Sequence, residues 1–361
     1  MPFRLPAFKL KSKLQISFLL IGFISILITG WQAYESARTA LEEVTFQRLT
    51  AIRESKRRQI EYYFERVRSD VINQSGNPDV VAAAATLMRR FSAVDSRRTL
   101  RAVLLHEEPQ AAGKSLPTVP LRNYLRAVAA SDSIFLPSMR QRGYYDIFIV
   151  DAGSGDIVYT VKRESDFATN LRRGPYHRTN IAAVFRDAAA ARDHSYARFV
   201  DFEPYAPSAD APAAFVASPV MEGGRTAAVL IFQLSIDDIN TVMTEHGNWE
   251  QDGLGESGET YIVGTDFRMR NDSRFFIEQP KEYVRMLRKI GTPDSTLRAI
   301  SRHHTSVLLQ DVRTEATVSA LRGNTDTRIV RDYRGMRVLS SFAPLNIADL
   351  RWVLLSEIDE T

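Results

Sequence analysis

The chain contains no cysteine. This excludes disulfide-stapled folds, thiolate metal sites and cysteine nucleophiles together. None of the six histidines stands in a His-x-x-x-His spacing, and the adjacent His303 and His304 cannot both face one metal from a single helix or strand. The glycine-rich segment Gly253–Gly258 lacks the Lys-Ser/Thr ending of a phosphate loop. We therefore predict no catalytic residues, no metal and no cofactor, which argues against an enzyme.

Charge of either sign is absent between Leu14 and Tyr34. At about 1.5 Å per residue, an apolar helix of this length crosses a hydrocarbon layer of about 30 Å. Trp31 and Tyr34 stand at its far end, where amphipathic rings favour the membrane interface. A cleaved signal peptide is the alternative, but its apolar region would be shorter and would end in a small-x-small site. We predict an uncleaved transmembrane helix over 14–34.

The excess of positive charge is confined to the N-terminal tail. Arg4, Lys9, Lys11 and Lys13 occur there without an acidic residue, and the rest of the chain has 43 basic residues against 43 acidic ones. A balanced remainder provides no basic face for nucleic acid. By the positive-inside rule, residues 1–13 form a cytoplasmic tail, and everything after about residue 34 is periplasmic or extracellular.

Residues 35–95 are predicted to form a long stalk helix and a following helix. Proline and glycine are absent from 34–73, and apolar residues recur every three or four positions, which indicates one helical stripe. Charged residues, including Arg53 and Lys56, are predicted on the opposite, solvated face. The stripe could pack on the chain's own domain alone, or part of it could also pair with a second copy, and we expect a homodimer. Asn77 and Pro78 predict the start of the next helix, and 113–120 is predicted to be a loop.

The pattern becomes β-rich after residue 140. Tyr144–Val161 contains two apolar runs joined by a glycine-containing turn, which indicates a hairpin. Three more strand-like runs and a helix near Ile236 follow, so an antiparallel sheet is predicted for a unit over 96–240. A shorter version of the same order, with a strand, turn and strand in 259–270, predicts a second unit over 241–361.

This order resembles the double Cache family, the tandem PAS-like sensor domains of bacterial transmembrane receptors. The resemblance depends on segments 145–167, 199–220, 227–240 and 253–275. It implies an α+β fold, with a transmembrane helix running into a stalk helix and then two units, each a central antiparallel sheet flanked by helices. It also implies that the membrane-distal unit holds a ligand. The Arg-x-Trp-Tyr pattern of the amino-acid-binding members is missing, so an amino acid of that type is not supported.

The distal unit offers candidate ligand-binding residues in and after its hairpin and in the next two strands. Aromatic walls with a few charged groups suit a small polar ligand, and Lys162 and Arg163 could hold an anionic group. The candidates are Tyr145, Tyr159, Lys162, Arg163, Asp166, Phe167, Asp201, Phe202, Tyr205 and Phe215.

We therefore expect a small-molecule sensing module of a transmembrane receptor whose output part, such as a histidine kinase, nucleotide cyclase, phosphatase or chemoreceptor domain, lies elsewhere. The alternative is a membrane-tethered dimeric scaffold with a filled pocket and no ligand. A periplasmic enzyme would need convergent acid–base residues, and the sequence shows no such set.

Overall fold

The computed structural model describes residues 10–105, 118–244, 247, 249 and 253–360, without the side chains of residues 12 and 13. Helix α1 is continuous over Leu10–Ser75 and contains both the predicted membrane segment and the predicted stalk. Within the described ranges it is the one helix long and apolar enough to cross a membrane. Its large apolar side chains up to Tyr34 are exposed, as a lipid-facing segment requires. The predicted long helix is confirmed, whereas most of the predicted cytoplasmic tail lies outside the described residues.

Three helices follow α1 and precede the first sheet. They are α2 (Pro78–Ser92), α3 (Arg97–Leu105) and α4 (Val119–Arg142). The Asn77 side chain accepts a hydrogen bond from the Asp79 backbone N–H, so the predicted cap of α2 is confirmed. Most of the loop predicted over 113–120 lies outside the described residues, and its last two residues begin α4 instead.

The first sheet, called the distal sheet, has five antiparallel strands in the order β2-β1-β5-β4-β3. The strands are β1 (Asp146–Asp151), β2 (Ile157–Thr160), β3 (Arg198–Tyr205), β4 (Ala211–Glu222) and β5 (Arg225–Gln233). Helices α1, α2 and α4 cover one face, where Ile147 and Ile149 point. Helix α5 (Asn180–Ala190) covers the other, where Phe148 and Val150 point. The predicted hairpin and antiparallel unit are confirmed.

The second sheet, called the proximal sheet, has four antiparallel strands in the order β6-β9-β8-β7. Its strands are β6 (Glu259–Val263), β7 (Asp326–Arg331), β8 (Arg337–Pro344) and β9 (Val353–Asp359). Its helices are α6 (Ile236–Thr244), which leads into it, α7 (Arg274–Glu278), α8 (Pro280–Lys289), α9 (Asp294–His303) and α10 (Glu315–Leu321). The strand order repeats that of the distal sheet without a counterpart of β2. Two tandem PAS-like units are therefore present, as predicted.

The strand predicted after the turn that follows β6 does not form. Only isolated bridges join Val263 to Met269 and Arg268 to Asp311. The side chain of Asn271 accepts the hydrogen bond of the Ile262 backbone N–H at 2.7 Å. The amide oxygen of Asn271 thus replaces the backbone carbonyl that a strand paired with β6 would supply to Ile262. Regular strand pairing therefore does not extend to this residue.

Helix α1 crosses both units, and two of its charged residues are buried at the crossing. Arg53 is 4% exposed and donates to Ser341 Oγ and to the Phe342 carbonyl, each at 3.0 Å. Lys56 is 2% exposed, and its ammonium group donates to the Val242 carbonyl at 3.3 Å. Arg53 also pairs with the neighbouring Glu54 carboxylate at 2.7 Å. The predicted solvated positions of these two residues are therefore wrong, because carbonyl, hydroxyl and carboxylate groups accept hydrogen bonds from the buried cations. Arg53 of α1 contacts β8, whereas Ser75 at the end of α1 contacts β4, so the proximal sheet lies nearer than the distal sheet to the exposed apolar segment of α1.

Candidate functional site

Three residues of the distal sheet lie side by side on the face beneath α5. Asp146 of β1 is opposite Gln233 of β5, and Gln233 is opposite Phe215 of β4. Cross-strand neighbours of this kind have Cβ atoms about 5 Å apart. All three residues are buried. A carboxyl and an amide group in the centre of an otherwise apolar sheet face are costly to bury without partners, so their hydrogen bonds are informative.

Asp146 is held by four donors. Its Oδ2 accepts from the Thr160 hydroxyl at 2.6 Å. Its Oδ1 accepts from the backbone N–H groups of Ile147 at 2.7 Å, Val161 at 2.9 Å and Lys162 at 3.0 Å. Burial raises the pKa of Asp146 to about 8, and the hydrogen bonds oppose this shift. The side chain therefore fixes the start of β1 to the end of β2 and places a titratable group beneath α5.

Asp166 lies in the loop after β2 and is fully buried. Its Oδ2 accepts from the Tyr205 hydroxyl at 2.6 Å. Burial raises the pKa of Asp166 to about 6, and the bond from Tyr205 opposes the shift. Its Oδ1 has no hydrogen-bond partner among the described residues, and neither does Gln233 Oε1. Two buried acceptor oxygens on one side of the sheet are thus left without donors.

A chain of polar side chains continues from Gln233 towards the surface. Gln233 Nε2 donates to Ser208 Oγ at 3.2 Å, and Ser208 donates to Glu164 Oε2 at 2.8 Å. The Tyr145 hydroxyl donates to Glu164 Oε1 at 2.6 Å. Burial and the bond to Glu164 raise the pKa of Tyr145 to about 12. The Lys162 ammonium nitrogen lies 4.7 Å from the centroid of the Tyr145 ring.

These residues form one group, which we call the distal acidic cluster. Its members are Tyr145, Asp146, Glu164, Asp166, Tyr205, Ser208 and Gln233. Aromatic rings lie beside it, because the Tyr205 ring contacts the rings of Phe215 and Tyr176, with centroids 5.2 and 6.1 Å apart respectively. The cluster contains three carboxyl groups. Two cationic groups lie beside it, the ammonium of Lys162 and the guanidinium of Arg101, which donates to the Ser165 and Phe167 carbonyls on either side of Asp166. It is therefore a carboxyl-rich, aromatic environment.

The two loops that contain Asp166 and Ser208 both include residues with left-handed backbone conformation. Arg163 and Ala168, each with φ of 57°, flank the loop of Asp166, and Ala209 and Asp210, with φ of 55° and 60°, follow Ser208. Non-glycine residues in this region cost about 1–2 kcal/mol each. Such strain persists where the surrounding structure determines the local geometry, which is typical of ligand sites.

The structure brings together five of the ten residues predicted from sequence as ligand-binding. Tyr145, Asp166 and Tyr205 belong to the distal acidic cluster, and Lys162 and Phe215 contact it. The sequence analysis missed Asp146, Glu164, Ser208 and Gln233. Asp146 and Gln233 had a recognisable signal, since each is the polar end of a long apolar strand.

The other five residues predicted as ligand-binding lie elsewhere. Tyr159 and Arg163 both bind the Asp132 carboxylate of α4. Phe167 packs in the core beneath the helices on the opposite face of the sheet. An anion held jointly by Lys162 and Arg163 is therefore not favoured, because these two side chains have different partners.

Asp201 and Phe202 lie at the junction of the two units. Asp201 forms two contacts with Arg270, Nε to Oδ1 at 2.8 Å and Nη2 to Oδ2 at 2.9 Å. The ring of Phe202 stacks on Trp352 at 6.1 Å with an interplanar angle of 13°. These two neighbours on β3 therefore join the distal sheet to the proximal unit.

No protein-family model and no curated protein matches the chain. Among solved structures it is similar to the ligand-binding domain of the Pseudomonas aeruginosa amino-acid chemoreceptor PctC in complex with GABA, with 15% identity, a TM-score of 0.38 and coverage of 77% of this chain and 96% of that one. It is also similar to the ligand-binding domain of the Pseudomonas fluorescens chemoreceptor CtaA in complex with L-serine, with 12% identity, a TM-score of 0.38 and coverage of 84% and 98%. The sensory domain of the Campylobacter jejuni chemoreceptor Tlp3 matches with 9% identity, a TM-score of 0.44 and coverage of 89% and 96%. The structural neighbours of the chain are thus ligand-binding domains of chemoreceptors, at low sequence identity.

Proposed function

We propose that the chain is the extracytoplasmic sensing part of a membrane-anchored receptor, and that its distal acidic cluster binds a small solute through an ammonium group. The proposal rests on one observation above all. Asp166 Oδ1 and Gln233 Oε1 are buried acceptors that have no donor among the described residues. A buried acceptor without a partner costs about 1–3 kcal/mol, and this cost is recovered when a ligand supplies the donor.

An ammonium group fits this environment better than an anion. It offers three N–H donors and a positive charge to a cluster with three carboxyl groups. The rings of Tyr205 and Phe215 add a favourable cation–π surface. An anion would lie beside Glu164 and Asp166, whose negative charge repels it. The nearest cationic side chains are already engaged, because the Lys162 ammonium group lies over Tyr145 and the Arg101 guanidinium group donates to the Ser165 and Phe167 carbonyls.

The proposed anchor and the proposed route of signalling both involve α1. The exposed apolar part of α1 is proposed to span the inner membrane with the basic N-terminal tail in the cytoplasm. The same helix continues beneath the proximal sheet and then the distal sheet, where Ser75 Oγ lies 2.8 Å from Ser218 Oγ of β4. A ligand that binds one arrangement of the distal sheet better than another would bias the position of α1 by its differential affinity.

The test is isothermal titration calorimetry of the full chain in detergent micelles. The probes are primary amines and amino acids, each compared with the carboxylate that lacks the amine. We expect saturable binding of an amine-bearing probe and at least about tenfold weaker binding in Asp166→Asn. Asp187→Asn is the matched control, because the Asp187 side chain is half-buried on α5 and its carboxylate pairs with Arg198 at 3.2 Å, outside the cluster.

Two outcomes would contradict the proposal. Binding of the carboxylate probes alone would place an anion in the cluster. Absence of saturable binding by every probe would favour the alternative of a membrane-tethered scaffold whose pocket is filled by its own side chains.

We also propose that the chain pairs with a second copy through α1. Leu41 is 69% exposed and Val44 is 61% exposed beyond the membrane segment, where an isolated helix would gain nothing from apolar residues. Since the chain has no cysteine, Leu41→Cys introduces a single thiol. We expect disulfide-linked dimers of Leu41→Cys under mild oxidation. Equal cross-linking of Arg225→Cys, on the exposed end of β5, would contradict pairing through α1.

A further inference from the structure

The proximal unit contains a cavity of about 810 Å³ that the proposed sensing site does not use. It lies between the turn after β6, the segment joining α8 to α9, the start of α10 and the end of β7. A second cavity of about 400 Å³ adjoins it across Arg313, Thr314 and Glu315. We call the two cavities together the proximal basic groove. The larger one has the volume of an ordinary small-molecule site.

The carboxyl groups of the groove are already paired. Asp332 binds Arg334 at 2.5 Å, and Glu315 binds Arg328 at 3.0 Å. Asp311 is 3.7 Å from Arg268.

Three further guanidinium groups line the groove, those of Arg313, Arg322 and Arg331. None of them has a carboxylate partner among the described residues. Arg331 donates only to the Gly335 carbonyl, at 2.8 Å. After the ion pairs are formed, the groove therefore retains an excess of positive charge.

Arg313 is held in place by a strained turn. Its guanidinium carbon lies 3.9 Å above the centroid of the Phe267 ring. Phe267 has a φ of 62°, a left-handed conformation that is uncommon for an aromatic residue. The Phe267 carbonyl accepts from the Val312 backbone N–H at 2.8 Å, and this bond fixes the turn against the segment that contains Arg313. A stacked guanidinium loses less freedom on binding an anion than a free one does.

We infer that the proximal basic groove binds a small dianion that contains carboxylate or phosphate groups. The guanidinium groups of Arg313 and Arg331 would provide planar, bidentate donors to it. The hydroxyl groups of Thr292, Thr296 and Thr314 line the same cavity and offer further donors. The proximal basic groove lies in a different unit from the distal acidic cluster and would bind an anion instead of a cation. Anion binding in the groove and amine binding in the cluster can therefore be refuted independently.

The groove is also connected to the junction of the two units. Arg268 lines the groove, and its carbonyl accepts from Arg270 Nη1 at 2.8 Å. Arg270 is the residue that holds Asp201 of the distal unit. An anion that draws the Arg268 side chain into the groove would therefore act on the turn that positions the ion pair between the units.

The experiment is isothermal titration calorimetry of the full chain in detergent micelles at low ionic strength, with inorganic phosphate and succinate as the two probes. We expect at least one probe to saturate, with at least about tenfold weaker binding in Arg313→Gln and in Arg331→Gln. Arg225→Gln is the matched control, because it removes the same charge from an exposed position of the distal sheet. Circular dichroism melts of the variants establish that each is folded. If one of the two groove variants does not fold, the other still tests the inference.

Three results would overturn the inference. The first is that neither phosphate nor succinate saturates with the native chain. The second is that Arg225→Gln weakens binding as much as Arg313→Gln, which would indicate a general charge effect. The third is that Asp166→Asn changes anion binding as much as the groove variants do, which would place the anion in the distal unit.

Discussion

The ion pair of Asp201 with Arg270 allows the contact between the two units to be measured. Arg270 is 3% exposed and Asp201 is 33% exposed, so the guanidinium has left water while the carboxylate has only partly done so. Burial lowers the pKa of Arg270, but the hydrogen bond and charge of Asp201 more than offset this and raise it overall. The guanidinium thus depends on Asp201 for part of its stabilisation.

Asp201→Asn removes a charge and at least one of two charge-assisted hydrogen bonds. Charge-assisted bonds contribute about 1.5–3 kcal/mol each, but Asp201 is partly exposed, and Asp266 still contacts Arg270 at 2.9 Å. We therefore expect a loss of about 1–2 kcal/mol in the free energy of unfolding. Gly264→Ala should cost a similar amount, because a Cβ there would lie 2.2 Å from Arg270 Nη2 and would displace the guanidinium.

A double-mutant cycle with Asp201→Asn and Arg270→Gln isolates the interaction. The readout is urea unfolding of the full chain in detergent micelles followed by tryptophan fluorescence, since Trp352 lies at the same junction. The control cycle uses the exposed pair Glu282 and Arg285, for which about 0.5 kcal/mol or less is expected. A coupling energy for Asp201 and Arg270 no larger than that of the control would refute the reasoning.

Three further outcomes are expected from the same unfolding assay. The folded-state pKa of Asp146, about 8, lies above its ordinary value of 3.8, so its contribution to stability is complete below about pH 4 and is lost as the pH rises through 8. Asp146→Asn should remove this loss, which linkage limits to about 6 kcal/mol. Trp352→Ala should destabilise the chain by about 3–5 kcal/mol, because this 1% exposed ring stacks on Phe202. Asn77→Ala should cost about 1 kcal/mol and Asn77→Gly a few tenths, because the cap of α2 is lost. A flat pH profile for the native chain, or equal costs for the two Asn77 variants, would contradict the corresponding assignment.

Most of the element order could be predicted from local patterns. The cap at Asn77, the hairpin turn in 151–156 and the helix beginning at Ile236 each depend on residues within a few positions of one another, so the sequence alone contains their signals. The two antiparallel sheets followed from the spacing of apolar strands and turns. The strand predicted after β6 failed because Asn271, nine residues from Ile262, supplies a side-chain acceptor in place of a ladder carbonyl.

The hydrogen-bond and ion-pair partners of the polar side chains could not be predicted from local sequence patterns. Arg53 is buried because it meets carbonyl and hydroxyl groups 288 residues away or more, and such partners leave no mark near Arg53 in the sequence. Asp201 was predicted to line a pocket, but its partner Arg270 belongs to the other unit. In the sequence, aromatic residues next to charged ones predicted a ligand site. Only the folded structure shows which of these residues lie beneath α5 and which lie on the opposite face of the distal sheet.

The most direct test of the proposed function is the pH dependence of amine affinity. A cation binds the ionised form of Asp166, whose pKa is raised by burial to about 6. For the amine probe that binds in the calorimetric screen, the affinity of the native chain should increase between pH 5 and pH 7, with proton release near pH 6, and Asp166→Asn should abolish both effects. An affinity that is independent of pH over this range, or that increases as the pH falls, would contradict ammonium recognition by the distal acidic cluster.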